Sequence, residues 1–190
     1  MRATLEKLDA CEEAIEWAGD KSPKKVWDTC ERGDWMLWLA CRLDVDRKLL
    51  VKAACACARQ ALVRVPAGEK RPRIAIETAE QWTEDMATLR EVSRATVAAY
   101  TAAHEAYTAA HEAYVADAAR AAYAASSCYA AAHAANSVSY ANDASAVPIT
   151  VANNAHAYFT VDAARSKSLA ASADIVRGII NCKVVTKLWR

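Results

Sequence analysis

Two histidine-glutamate pairs are the residues of this chain that come nearest to catalytic chemistry. They are His104-Glu105 and His111-Glu112, one in each of two successive copies of the unit Thr-Ala-Ala-His-Glu-Ala-Tyr. In the helix of zinc proteases, a second histidine four residues after the first completes the metal site. Thr108 stands at that position here, and a seven-residue step separates the two histidines by about 10.5 Å along a helix. The sequence therefore predicts no metal site at these residues.

No other pattern predicts an enzyme. With four glycines the chain has little material for a phosphate-binding loop, and it contains no Gly-x-Ser-x-Gly elbow and no Cys-x-x-Cys pair. Adjacent acids such as Glu12 and Glu13 diverge by about 100° on a helix and are typical of a solvated face. The tripeptide Arg32-Gly33-Asp34 matches an adhesion motif, but Asp34 is better interpreted as a helix N-cap. We expect a non-enzymatic protein with no cofactor.

The duplicated unit instead predicts a helix with one distinctive face. Seven residues fall only about 20° short of two turns, so equivalent residues of the two copies lie almost above one another. The simpler interpretation of this face is an interior seam between helices. The alternative is an exposed recognition face, because tyrosine combines a large apolar ring with a hydrogen-bonding tip. We call this face the Tyr/His stripe; it contains Val97, Tyr100, His104, Tyr107, His111 and Tyr114.

Composition predicts a single all-helical domain of about six or seven helices over residues 1–190. Glycine and proline are scarce, with four of each, and alanine dominates from residue 95 to residue 157. Five of the six tryptophans lie in the first half. We therefore expect a Trp-rich helical part over 1–92, long alanine-rich antiparallel helices over 93–185, and a short tail over 186–190.

Charge and cysteine content restrict the expected partners and location. The formal net charge is +1, which gives no overall attraction for nucleic acid or anionic lipid. No uncharged apolar run reaches the ~20 residues that span a bilayer, and the N-terminus becomes charged too early for a signal peptide. The seven cysteines follow no metal-ligand spacing and are interpreted as buried free thiols. We expect a cytoplasmic protein; the oligomeric state is left open.

Capping residues predict where the helices begin and end. Gly19 suits a helix end and Pro23 a helix start, while Asp44 or Asp46, and later Thr88, suit N-caps. Helices are predicted over residues 1–18, from residue 23, over 35–41, where the helix is buried, and over 47–65. After a loop over 66–72, another helix begins at residue 73. An alanine-rich helix begins at residue 89 and breaks between 126 and 147, and a final helix covers 149–185.

Six charged residues fall near predicted core segments. Charges in such positions persist mainly when they are paired, so we interpret them as a polar network that joins helices. The alternative is a site for a partner. The residues are Arg32, Asp34, Arg71, Arg90, Asp174 and Arg177.

The order of several segments resembles a known family. The segments are 30–40, with its Asp-Trp pair, the cysteine- and alanine-rich helix at 53–62, the Arg-Pro segment at 71–77, and residues 88–90 and 173–177. Together they resemble the mostly helical immunity proteins of bacterial polymorphic toxin systems, which also occur in phage genomes. The resemblance implies a protein that neutralises a cognate toxin by binding it. It implies no catalytic residues.

The sequence therefore predicts a binding protein that blocks a toxin or other effector by stoichiometric occlusion. A phage-encoded inhibitor of a host defence protein would use the same physical principle with a different target. There are two other possibilities. The chain could be a helical protein that binds a small ligand in the Tyr/His stripe, or it could be a purely architectural protein. An occlusion inhibitor predicts an exposed aromatic or charged patch, whereas a ligand-binding protein predicts a closed pocket with convergent polar groups.

Overall fold

The fold is known from a computed structural model, which describes residues 1–112 and 162–188. The chain is all-helical, as its composition predicts, and the two described ranges contain no strand. No helix within them is both long enough and apolar enough to cross a bilayer. The helices are α1 (Arg2–Lys7), α2 (Glu12–Ala18), α3 (Pro23–Thr29), α4 (Gly33–Arg42), α5 (Arg47–Arg59), α6 (Arg71–Thr83), α7 (Leu89–Glu112), α8 (Asp162–Ile179) and α9 (Cys182–Leu188), with a 3-10 turn (Leu62–Arg64) after α5.

Helix α5 separates two parts of the hydrophobic core. One side of α5, including Leu50 and Cys57, joins a large cluster built from α1 to α4, α8 and α9. The other side, including Val51 and Cys55, joins a second cluster with α6 and α7. Small residues such as Ala53 and Ala54, both fully buried, let helices approach closely on either side. The single helix α5 thus holds the two halves of the described structure together.

The alanine-rich helices pack against the Trp-rich part of the chain. Helix α7 lies mainly along α6, and α8 lies mainly against α4 and α5. Helices α4 and α8 approach closely at Gly33, where an added Cβ would stand 2.5 Å from Ser172 Cβ. The rest of the predicted alanine-rich segment, including its predicted break, lies outside the described residues.

Local capping residues set several helix starts, as predicted. Asp46 caps α5 by accepting a hydrogen bond from the backbone N–H of Leu49 at 3.2 Å. Thr88 and Glu91 form a reciprocal capping box at the start of α7. The Thr88 backbone N–H donates to the Glu91 carboxylate at 2.7 Å, and the Glu91 N–H donates to the Thr88 hydroxyl at 3.3 Å.

Three predicted helices are interrupted or shorter than expected. The helix predicted over 1–18 is two helices, because Asp9 takes a left-handed conformation with φ 59°. The helix predicted over 47–65 ends at Arg59 and is followed by a separate 3-10 turn. The helix predicted over 149–185 ends at Ile179. At the start of α9, the side-chain oxygen of Asn181 accepts a hydrogen bond from the backbone N–H of Lys183 at 2.8 Å. Residues 149–161 lie outside the described ranges.

The N-cap predicted at Asp34 is also wrong. Arg32 occupies the N-cap position of α4, and no side chain caps that helix. The Asp34 carboxylate instead accepts two hydrogen bonds from the Arg32 guanidinium, at 2.9 Å and 2.7 Å. A carboxylate held by a guanidinium fork has less need of a backbone donor.

The cysteines of the two described ranges are free thiols, and four of the six are buried. Burial raises the pKa of Cys30 and Cys41 to about 11 and of Cys57 to about 12. Burial also raises the pKa of Cys55. The prediction of buried thiols is wrong for Cys11, which is exposed, and Cys182 is partly exposed.

These environments predict an order of thiol alkylation. Reaction requires both access and the thiolate form. At pH 8 iodoacetamide should modify Cys11 first. The four buried cysteines should react at least about 100-fold more slowly until urea unfolds the chain. Peptide mass spectrometry after timed labelling measures each rate. Rapid labelling of Cys55 or Cys57 in the native protein would contradict the packing of α5.

Candidate functional site

Helix α7 uses small residues on the face that packs against α6. Val92, Thr96, Ala99 and Ala103 are buried, and their spacing of four, three and four residues defines one side of a helix. This side leaves the opposite face of α7 available to solvent or to a partner.

The Tyr/His stripe lies at the edge and on the outside of α7. Val97 is 62% exposed and His104 is exposed, while Tyr100 is half-buried and packs against the second core cluster. Val97 and His104 are thus exposed, as the alternative of an outward face predicts, whereas Tyr100 packs against the core, as an interior seam predicts. The backbone is helical through Tyr107 and His111, but their side chains, and Tyr114 entirely, lie outside the described residues.

The start of α6 is attached to α7 at the first copy of the duplicated unit. The Arg71 guanidinium binds Glu69, with 2.9 Å between Arg71 Nε and Glu69 Oε1, and it also binds Glu105. Beside this ion pair, Val65 packs against the buried residues Ala102 and Ala103. Glu105 lies about 100° around the helix from His104, and its partner is Arg71.

Protonation should weaken this attachment. Hydrogen bonding by Arg71 is the main cause of a lowered pKa at both Glu69 and Glu105. A carboxylate whose pKa is lowered by folding stabilises the native state above its unfolded pKa, and this contribution disappears as pH falls through the lower native value. We therefore expect wild type to lose more stability than Glu105→Gln between about pH 5 and pH 3, measured by urea unfolding; parallel pH profiles would exclude the ion pair as a contributor.

The six charged residues predicted as one network occupy three places. Arg32 pairs with Asp34, and Arg177 pairs with Asp174 at 2.7 Å, both close to the turn between α3 and α4. Arg71 belongs to the ion pairs beside α7, and Arg90 is exposed on α7.

Arg177 joins α8 to the end of α3. Its guanidinium donates to the backbone carbonyls of Cys30 at 2.6 Å and Trp27 at 3.3 Å. Carbonyl groups at a helix C-terminus have no intrahelical donor and carry partial negative charge. This contact supports the interpretation of the charged residues around α3 and α4 as a structural link between helices.

A tryptophan cluster is the feature that sequence reasoning missed. The rings of Trp17 and Trp35 lie 6.0 Å apart at 58°, and they line a cleft of about 30 Å³ whose walls are apolar. A volume of that size is far smaller than the ~150 Å³ cavity that binds benzene in a protein core, so the cleft is too small to enclose a molecule of that size. A cation lies over each of three rings: Lys21 over Trp17, Arg32 over Trp35 and Arg42 over Trp38. The closeness of four tryptophans between positions 17 and 38 is the sequence signal that could have indicated this cluster.

No group of His, Cys, Asp or Glu side chains within residues 1–112 and 162–188 could hold a metal ion.

Neither a protein-family model, nor a curated protein, nor a solved structure matches this chain.

Proposed function

We propose that this chain is a non-enzymatic binding protein that neutralises a toxin or other effector protein by covering its active surface. The observation that carries the proposal is the exposure of the Tyr/His stripe at Val97 and His104. Val97 leaves most of an apolar side chain in water, although an exposed helix face has no need of one. The duplicated unit repeats the same side-chain types along this face, which is typical of a contact surface.

The way α7 is supported suits a docking helix. Its buried side packs against α6 through small residues, and the ion pair between Glu105 and Arg71 attaches it to the start of α6. Binding by a surface that is already rigid loses less conformational entropy than binding by a flexible segment. Tyrosine and histidine also provide hydrogen-bonding groups at the edge of an apolar contact.

Affinity capture from the native cells tests the proposal. The tagged chain should retain one dominant protein, and the purified complex should elute from size-exclusion chromatography in a fixed ratio. Adding this chain in that ratio should abolish the activity of the captured protein. The identity of that protein distinguishes a cognate toxin from a host defence protein. Absence of any protein in a fixed ratio would overturn the proposal in favour of a small ligand.

A pair of double variants tests the role of the stripe. Val97→Ser with His104→Ala removes two exposed side chains, so the unfolding midpoint should remain within about 2 °C of wild type. Affinity for the captured protein should fall at least tenfold, as is usual for a residue at the centre of an interface. The control is Lys25→Ala with Thr29→Ala, which also removes two exposed side chains but on α3. Equal loss in both double variants would contradict a role specific to the stripe.

A further inference from the structure

The Tyr/His stripe has the spacing of a coiled-coil seam. From Val97 its members follow one another at alternating steps of three and four residues, through Tyr100, His104, Tyr107 and His111. This alternation is that of the a and d positions of a heptad repeat, where two helices meet. The tyrosines take the d positions, and the valine and the histidines take the a positions. Helix α7 is continuous over all of them.

A second helix can lie on this seam without displacing α6. At 100° per residue, the side of α7 that packs against α6 and the a and d positions are centred roughly 100° apart around the helix axis. Neighbours in a four-helix bundle surround a helix at a similar angle. Ser93, at the d position before Val97, is exposed, as are Val97 and His104, while Tyr100 is half-buried. The seam is therefore open at these positions.

The residue types along the seam select the helix that can cover it. The tyrosine hydroxyl and the histidine imidazole can both take part in hydrogen bonds. An apolar helix would remove water from the His104 imidazole and offer it no partner, which is unfavourable. A helix that carries the same alternation of tyrosine and histidine offers a partner to each polar group, and a second copy of this chain is such a helix.

The match requires that the two copies run antiparallel. In a parallel pair the a positions face each other, so that His104 would face His104 of the second copy. In an antiparallel pair the a positions face the d positions. A pair centred between Tyr100 and His104 then places the Tyr100 of each copy opposite the His104 of the other.

The remaining layers of this pair are arranged as in other interfaces. On either side of the centre, Val97 lies opposite position 107, and at each end Ser93 lies opposite position 111. Aromatic and apolar residues thus occupy the middle of the seam and polar residues occupy its ends, in the manner of an apolar interface core with a polar rim.

No like charges meet along the outer edge of the seam. The line of α7 that directly follows the d positions holds Arg94, Thr101 and Thr108, all of which are exposed. In the antiparallel pair Thr101 lies beside Thr101 of the second copy, and Arg94 lies beside Thr108. The dipoles of the two helices also run in opposite directions, so that their ends of opposite charge are adjacent.

We propose that two copies of this chain associate through antiparallel pairing of their α7 helices along the Tyr/His stripe. Each copy contributes the a and d residues from Ser93 to His111, over a length of about 27 Å. Such a seam is small beside the interfaces of obligate dimers, so the association is reversible and depends on concentration. The inference does not depend on the proposed function; where both hold, the second copy and the effector compete for the stripe.

Sedimentation equilibrium of the purified full chain tests the inference. Between about 2 and 200 µM the average mass should rise from that of one chain towards that of two. Val97→Glu places a carboxylate in two layers of the seam, so it should weaken dimerisation at least tenfold. Since Val97 is 62% exposed, the monomer should keep its wild-type melting temperature. The matched control is Val63→Glu, the same substitution at a valine outside α7 that is 83% exposed; it should change the dissociation constant less than twofold.

Cysteine cross-linking determines the orientation of the two helices. The background carries serine in place of Cys11, Cys128 and Cys182, so that only buried thiols remain. In it, Thr101→Cys should cross-link to its own copy through a short bismaleimide, because position 101 lies beside the twofold axis of the antiparallel pair. Ser93→Cys should not, since its two copies would stand about 27 Å apart along the seam. A parallel pair gives the reverse result.

The outcomes separate this inference from the proposed function. A dimer that Val97→Glu weakens, with cross-linking at position 101 and none at position 93, supports the antiparallel pair. A chain that remains monomeric at the highest concentration, a dimer that Val97→Glu leaves intact, or cross-linking at position 93 instead of 101 would each overturn it. None of these results affects the proposed function, whose test is the capture of an effector in a fixed ratio.

Discussion

Replacing Gly33 with alanine should lower the free energy of unfolding by about 3 kcal/mol, the upper part of the range for overpacked sites. The new Cβ would stand 2.5 Å from Ser172 Cβ and 2.8 Å from the backbone nitrogen of Ala173. A backbone atom of α8 cannot rotate away as a side chain can, so α4 and α8 would have to separate. For a domain of this size, such a loss corresponds to a fall of roughly 6–12 °C in the melting temperature. Thermal and urea unfolding measure the effect.

Gly178 offers the matched control for this change. It lies in the same helix as Ser172, and an added Cβ would meet no atom within 4 Å. Gly178→Ala should stabilise the protein by about 0.5–1 kcal/mol, because alanine loses less backbone entropy than glycine in a helix. A Gly33→Ala variant as stable as wild type would contradict the close approach of α4 and α8.

Replacing Arg32 with methionine should cost about 2–3 kcal/mol of unfolding free energy. The Asp34 residue is only 3% exposed, and the Arg32 guanidinium donates to both of its carboxylate oxygens. A buried carboxylate that loses its partner typically costs about 3–5 kcal/mol; we expect less because the Arg32 side chain is 27% exposed and water can enter. Urea unfolding at pH 7 measures the difference.

A double variant identifies the unpaired carboxylate as the cause. Arg32→Met with Asp34→Ala removes the charge as well as its partner, so it should be at least about 1 kcal/mol more stable than Arg32→Met alone. If the second substitution destabilises the protein further, then the loss at Arg32 comes from its packing on Trp35 and not from the ion pair.

Features set by neighbouring residues could be predicted from the sequence. The Thr88 cap is determined within one turn of helix, and the buried apolar run of α4 is explicit in the residues themselves. Two helix breaks were missed, because they depend on single residues, Asp9 and Asn181, whose types also occur within longer helices. The Asp34 prediction failed because a side chain two residues away, Arg32, competes for the same carboxylate.

The candidate site also has features that the sequence predicts and features that it does not. Helical spacing predicts that the Tyr/His residues share a face, and α7 is a continuous helix from Leu89 to Glu112. Spacing along one helix carries no information about which face another helix covers, so an interior seam and an exposed face could not be distinguished. The contact between the start of α6 and Glu105 depends on an ion pair across 34 residues of chain, which no local pattern indicates.

The position of α8 against α4 and α5 has a consequence for synthesis of the protein. Contacts that complete the first core cluster join Cys57 to Ser172, 115 residues apart, and Cys30 to Arg177, 147 residues apart. At about 5–20 residues per second, a ribosome needs roughly 6–23 s to make the 115 residues between the first two positions. During that interval the Trp27 and Leu37 side of the cluster has no α8 to cover it, and it is available to a chaperone or to another nascent chain. Codons that slow translation between α5 and α8 should therefore increase aggregation of this protein.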